Sequence, residues 1–156
     1  MDKYEKLLDE ASKENIAIFE NYDFSGTRID GLYCDGSIAL SKNLGTTAEK
    51  ACILQEELGH HYTSHGNIID IEDVASRKQE HRARVWAYRN AIGLSDLISA
   101  YKRGCRNRYE IAEHLNITES FLMGAIEDYK AQYGPFAKID NYIIYFEPLG
   151  ILELNM

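Results

Sequence analysis

At 156 residues, with 45% hydrophobic and 27% charged side chains, the chain suffices for one domain with a sizeable core and is too apolar to be disordered. Its longest apolar run, Tyr142 to Phe146, is far too short for a bilayer crossing, so no membrane association is expected. A net charge of −8 argues against non-specific binding of nucleic acid, whose phosphates attract local positive charge.

That total conceals an asymmetry. From Arg77 to Arg108 nine basic residues meet two acidic ones, a local +7, while the remainder carries −15. The basic stretch reads as a face balanced by acidic neighbours, or alternatively as a docking surface for an acidic partner. Cys34, Cys52 and Cys105 are widely spaced and make no CxxC pair, and the first six residues mix charges without the apolar stretch of a secretory signal. A reducing cytoplasm is the expected location.

In chain order, Tyr4, Leu7, Leu8 and Ala11 recur at helical spacing and predict an amphipathic helix over the first fifteen or so residues. Ile16 to Phe24 reads as a strand. Ile29 to Leu40 reads as a hairpin about Asp35-Gly36, a strong two-residue turn signal. Thr46 with Glu49 forms a capping box that opens a helix carrying Ala51, Ile53, Leu54 and Leu58 inward, with its end expected near Gly66. A second helix is expected from about Ile71 to Ala91 with Asp70 as N-cap, and a third capped by Ser95 and ending at Gly104. Helices over Tyr109–Leu115 and Glu119–Tyr133 flank Asn116-Ile117-Thr118, and Tyr142 to Leu154 predicts one or two strands. The fold class expected is α+β: one domain over residues 1–156, with a small N-terminal sheet and hairpin joined by the tail and packed against about five helices.

The informative segment is Gln55-Glu56-Glu57-Leu58-Gly59-His60-His61. In an HExxH helix, residues i and i+4 share a face and bind a metal, and the glutamate at i+1 acts as general base. Here Glu56 takes the first ligand position, Glu57 the base position and His60 the second ligand position. Shifting the register by one makes Glu57 and His61 the ligands and leaves Leu58 where the base must stand, which has no chemistry. Glu80, on the next helix, is the candidate third ligand.

Glu56-Glu57-Leu58-Gly59-His60, the Gly31-Leu32-Tyr33 of the preceding hairpin and the later Glu80-x-x-Ala83-x-x-Trp86-Ala87 together resemble the ImmA/IrrE family of metallopeptidases, over roughly Tyr4 to Tyr133. The similarity is to members carried by phages and integrative elements, with EExxH in place of HExxH. The resemblance implies a zincin-like active-site helix, zinc held by His60 and Glu80 with Glu56 in the place of the missing histidine, and Glu57 as catalytic base. It further implies a protein substrate, the helix-turn-helix repressor of the element itself. With Glu56 for histidine, three ligands leave a divalent ion at net zero rather than +1. That weakens it as a Lewis acid and shifts preference from Zn2+ toward Mn2+ or another oxygen-preferring ion.

Competing readings attach to the same residues. His61 and His65 also stand at i and i+4, but close to the expected helix end, as surface or capping residues. His81 is expected to be exposed, His114 has no partner nearby in sequence, and Trp86 is expected in the core. Residues 106–133 read as a helix-turn-helix-like hairpin, and residues 110–130 offer a DNA-binding alternative. Its second helix carries Glu119, Glu127 and Asp128 against Lys130 alone, a set that repels phosphate. The remaining alternative is a non-catalytic protein that binds the repressor with a degenerate metal site.

Overall fold

The computed structural model describes residues 1–63 and 74–155, with the backbone alone for 74–76. Gly66, Asp70 and Ile71, where a helix end and a helix start are expected, lie outside these residues, as does His65. The architecture is α+β, with six helices and two three-stranded sheets among the described residues. The chain divides into two compact units, Met1–Ala87 and Tyr88–Met156.

The first unit begins with α1 (Lys3–Lys13), opened by Asp2, whose carboxylate accepts the Glu5 N–H at 2.8 Å. It continues through β1 (Ala17–Tyr22), β2 (Gly31–Cys34), β3 (Ser37–Ser41) and α2 (Thr47–Thr63), and takes in the first part of α3 (Val74–Ala91). Asp35 and Gly36, at φ 51° and 80°, adopt the left-handed conformations that a two-residue hairpin demands, so β2 and β3 pair antiparallel. β1 pairs parallel with β3, giving the order β1-β3-β2. The inward residues of β3, Ile38 and Leu40, meet Tyr4, Leu7 and Ala11 of α1 and Ala51, Leu54 and Leu58 of α2 in one apolar cluster, and Trp86 packs partly buried against it. Thr46 caps α2 as predicted, while the return bond of the expected capping box goes to the residue before it. The Thr46 hydroxyl accepts the Glu49 N–H at 3.1 Å, and the Glu49 carboxylate reaches back to the N–H of Gly45.

The second unit holds α4 (Leu94–Lys102), α5 (Arg108–Leu115), α6 (Glu119–Tyr133), β4 (Phe136–Ile139), β5 (Tyr142–Phe146) and β6 (Leu149–Glu153). Gly93, not Ser95, caps α4, because the Asp96 carboxylate takes the Gly93 N–H at 2.7 Å. Asn107 and Thr118 cap α5 and α6 through the amides of Glu110 and Phe121, and Asn116 turns the chain between them at φ 56°. The tail does not join the N-terminal sheet. It forms a separate antiparallel meander, β4-β5-β6, built on the two-residue connections Asp140-Asn141 and Glu147-Pro148. The short strand Phe136–Ile139 had no expectation attached; four residues behind a helix end and Pro135 carry too little alternation to announce a strand. No helix among the described residues is long and apolar enough to cross a membrane.

Candidate functional site

The site residues lie in the first unit, on α2 and α3, and glycine lets these helices approach. A Cβ added at Gly59 would fall inside van der Waals contact with the backbone carbonyl of Ala83, so only a residue without a side chain permits the crossing. Ala83 is itself buried and small. One residue after Gly59 and three before Ala83, the crossing joins His60 to Glu80: Nε2 and Oε1 stand 3.2 Å apart, the imidazole buried and the carboxylate one-third exposed.

α2 presents two neighbouring faces. Glu56 and His60, four residues apart, share the face directed at α3. Glu57 and His61 share the face directed at β2. There Gly31 leaves room for the Glu57 side chain, the Tyr33 N–H donates to its carboxylate, and the Tyr33 hydroxyl shares a 2.9 Å hydrogen bond with His61 Nδ1. The Gly36 N–H donates to the same hydroxyl at 3.2 Å, so the hairpin turn fixes the phenol that meets His61. Tyr62 stacks on Trp86 with ring centroids 5.1 Å apart and closes the aromatic edge of this face.

The electrostatics follow from burial and crowding. Burial pushes the Glu57 carboxyl up to about 7, with the negative charges of Glu80 and Glu56 adding to it, while His60 and the Tyr33 amide pull it down. Glu56 is raised for the same first reason, opposed by Arg84 and His60 and reinforced by Glu80 and Asp30. For His60, burial opposes the charged ring, but the hydrogen bond and charge of Glu80, with the charges of Glu57 and Glu56, outweigh it and raise the imidazole. The bond from His60 holds Glu80 below its ordinary value, against burial and with help from Arg84.

His60 and Glu80 are therefore adjacent, with Glu56 and Glu57 in electrostatic reach of both. Among the described residues no three His, Cys, Asp or Glu side chains converge as a ready metal-holding group. The donor chemistry nevertheless fits a divalent ion. One imidazole and three carboxyls lie within electrostatic reach of one another, both α2 carboxyls are raised, and the charge of Arg84 lowers Glu56 and Glu80. A cation would relieve this imbalance. His81 is exposed, as expected, and so are His114 and the charged residues Glu119 and Glu127 of α6.

Several contributors escaped the sequence reading. Tyr33 holds both Glu57 and His61, Arg84 tempers Glu56 and Glu80, and the Gly59–Ala83 contact sets the crossing. The last had a signal: a lone glycine inside a helical segment costs about 1 kcal/mol relative to alanine and so hints at a packing reason. Comparisons with protein-family models, with curated proteins and with solved structures find no match to this chain.

Proposed function

We propose that this chain is a metal-dependent endopeptidase acting on a protein, the helix-turn-helix repressor of its own phage or integrative element. The observation that carries the reading is one arrangement. His60 and Glu80 stand 3.2 Å apart across a glycine-enabled helix crossing, beside a buried carboxyl, Glu57, pushed up to about 7. A general base works best when its pKa lies near the working pH, and such a carboxyl can both take and return a proton near neutrality. In this reading His60 and Glu80 hold the ion and Glu56 completes the set. When bound, Zn2+ or Mn2+ supplies positive charge that polarises the scissile carbonyl. Glu57 takes the proton of the attacking water and delivers it to the leaving amine. The Tyr33 amide keeps its carboxylate aimed while β2 shields one side from solvent. The element and the repressor follow from the resemblance to the ImmA/IrrE family, and the cytoplasmic location from the cysteine pattern, not from the geometry.

The test is Glu57→Gln, which preserves shape but cannot accept a proton. Incubated with the repressor of the element that carries the gene, wild type should cut it and the variant should not, at equal metal content. Cleavage at the wild-type rate by the variant removes Glu57 from the mechanism.

A second reading rests on the same pair: the 3.2 Å contact of His60 with Glu80 also suits a non-catalytic repressor-binding protein in which the two side chains pair with each other. It predicts tight repressor binding with no cut product at any metal concentration.

A further inference from the structure

Within the second unit, α4, α5 and β6 enclose a cavity of about 180 Å³. Leu97 and Tyr101 of α4, Cys105 and Arg106 of the following turn, Ile111 of α5 and Ile151 of β6 line it. An apolar cavity of about 150 Å³ is enough to hold one benzene ring, so this one accepts a single ring or a short branched chain, not a drug-sized ligand.

Arg106 gives the cavity its chemistry. Its guanidinium lies over the Tyr101 ring, Cζ 4.4 Å from the centroid. Nη1 donates to the carbonyls of Tyr101 at 2.9 Å and of Cys105 at 3.0 Å. These contacts use two of the five N–H bonds and pin the plane of the group. The three on Nε and Nη2 have no acceptor among the described residues. Glu110, four residues on, is engaged otherwise, accepting the backbone N–H of Arg106 at 3.4 Å and the side-chain amide of Asn107 at 3.0 Å. Other arginines of this unit do have carboxylate partners, Arg89 with Asp128 and Arg108 with Glu119. Arg106 is exposed as well as lining, so it stands at the rim.

We infer that this cavity binds a small apolar molecule bearing one carboxylate, of the size of an aromatic or short branched-chain acid, with the ring or chain inside and the carboxylate on Arg106. The inference is independent of the proposed peptidase site.

The probes are benzoate and benzyl alcohol, which share a ring and differ in charge, titrated into 15N-labelled full-length protein. Benzoate should shift the amides of Cys105, Arg106 and Ile151 saturably. Benzyl alcohol should bind about tenfold more weakly, the scale of one charge-assisted hydrogen bond at a wetted rim. Arg106→Gln should bring benzoate down to the level of the alcohol, and Cys105→Leu, which fills the cavity, should abolish both. The comparison of the two ligands in the wild type needs no variant, so a misfolded one leaves the test standing. Absence of saturable shifts at those amides, or equal affinity of the two ligands, overturns the inference. So does an Arg106→Gln variant that folds and binds benzoate as tightly as wild type.

Discussion

The α2/α3 crossing and the α5/α6 hairpin are both close helix pairs with buried apolar residues, yet only the first also buries polar and ionisable ones. α2 buries Gln55 and His60 and half-buries Glu56 and Glu57 along its contacts. α5 and α6 bury Ile111, Ala112, Phe121, Leu122, Ala125 and Ile126, while Glu110, Glu113, Glu119 and Glu127 face water. Burying ionisable groups is expensive unless they pair, so their concentration on one helix pair is what the proposed function would explain. The hairpin needs no such explanation. Its caps and apolar stripe account for it.

The sharpest way to break the contrast is at two glycines. Gly59→Ala drives a methyl into the Ala83 backbone, which cannot yield without moving a helix. Despite better helix propensity it should lose about 2–3 kcal/mol in urea unfolding. Gly124→Ala on α6 meets the hydroxyl and outer ring carbons of Tyr88, side-chain atoms that can shift where a backbone cannot, and should cost less than Gly59→Ala, about 1 kcal/mol. Equal losses at the two positions would remove the special role of the α2/α3 crossing.

Next in size is a pH effect in metal-free protein. Glu57 binds its proton more tightly folded, with a value of about 7 against 4.5, so the native state holds more protons between these limits. Stability must then fall as pH rises across that window, by about 2 kcal/mol once partial exposure is allowed for, and level off above it. His60, also raised, contributes stability that is lost on further alkalinisation, in the same direction. The lowered Glu80 acts only on the acid side, losing its contribution as pH drops below the ordinary carboxyl range. Thermal melts of wild type and Glu57→Gln should diverge in slope between pH 5 and 7, within the window those values bound; parallel curves would mean that Glu57 titrates normally.

A smaller change sharpens the metal assignment. Glu56→His converts the proposed donor set from net zero to +1 and adds an imidazole, so zinc affinity measured by chelator competition should rise roughly tenfold. An unchanged or weaker affinity would show that Glu56 does not ligate.

How far the molecule was legible follows the range of each interaction. Local chemistry read well: the Asp35-Gly36 turn and the Thr46 cap of α2 depend on residues within four positions and appear as predicted. The pairing of His60 with Glu80 was anticipated from helical spacing joined to a family resemblance, and the structure brings the two together. Strand partnership was not legible, because a parallel β1–β3 pair and a separate meander depend on contacts distant in sequence. Tyr33 was missed for a related reason. Its role lies in a backbone N–H and in a hydroxyl turned to His61, and neither has a sequence signature.

The central claim is that His60 and Glu80 form the heart of a metal-binding hydrolytic site, and titration of Zn2+ into chelator-stripped protein tests it most directly. The account predicts one saturable ion per chain for wild type and for Glu57→Gln, and loss of that ion in His60→Ala and Glu80→Gln. Failure of the wild type to bind, or binding untouched by both ligand substitutions, would contradict it.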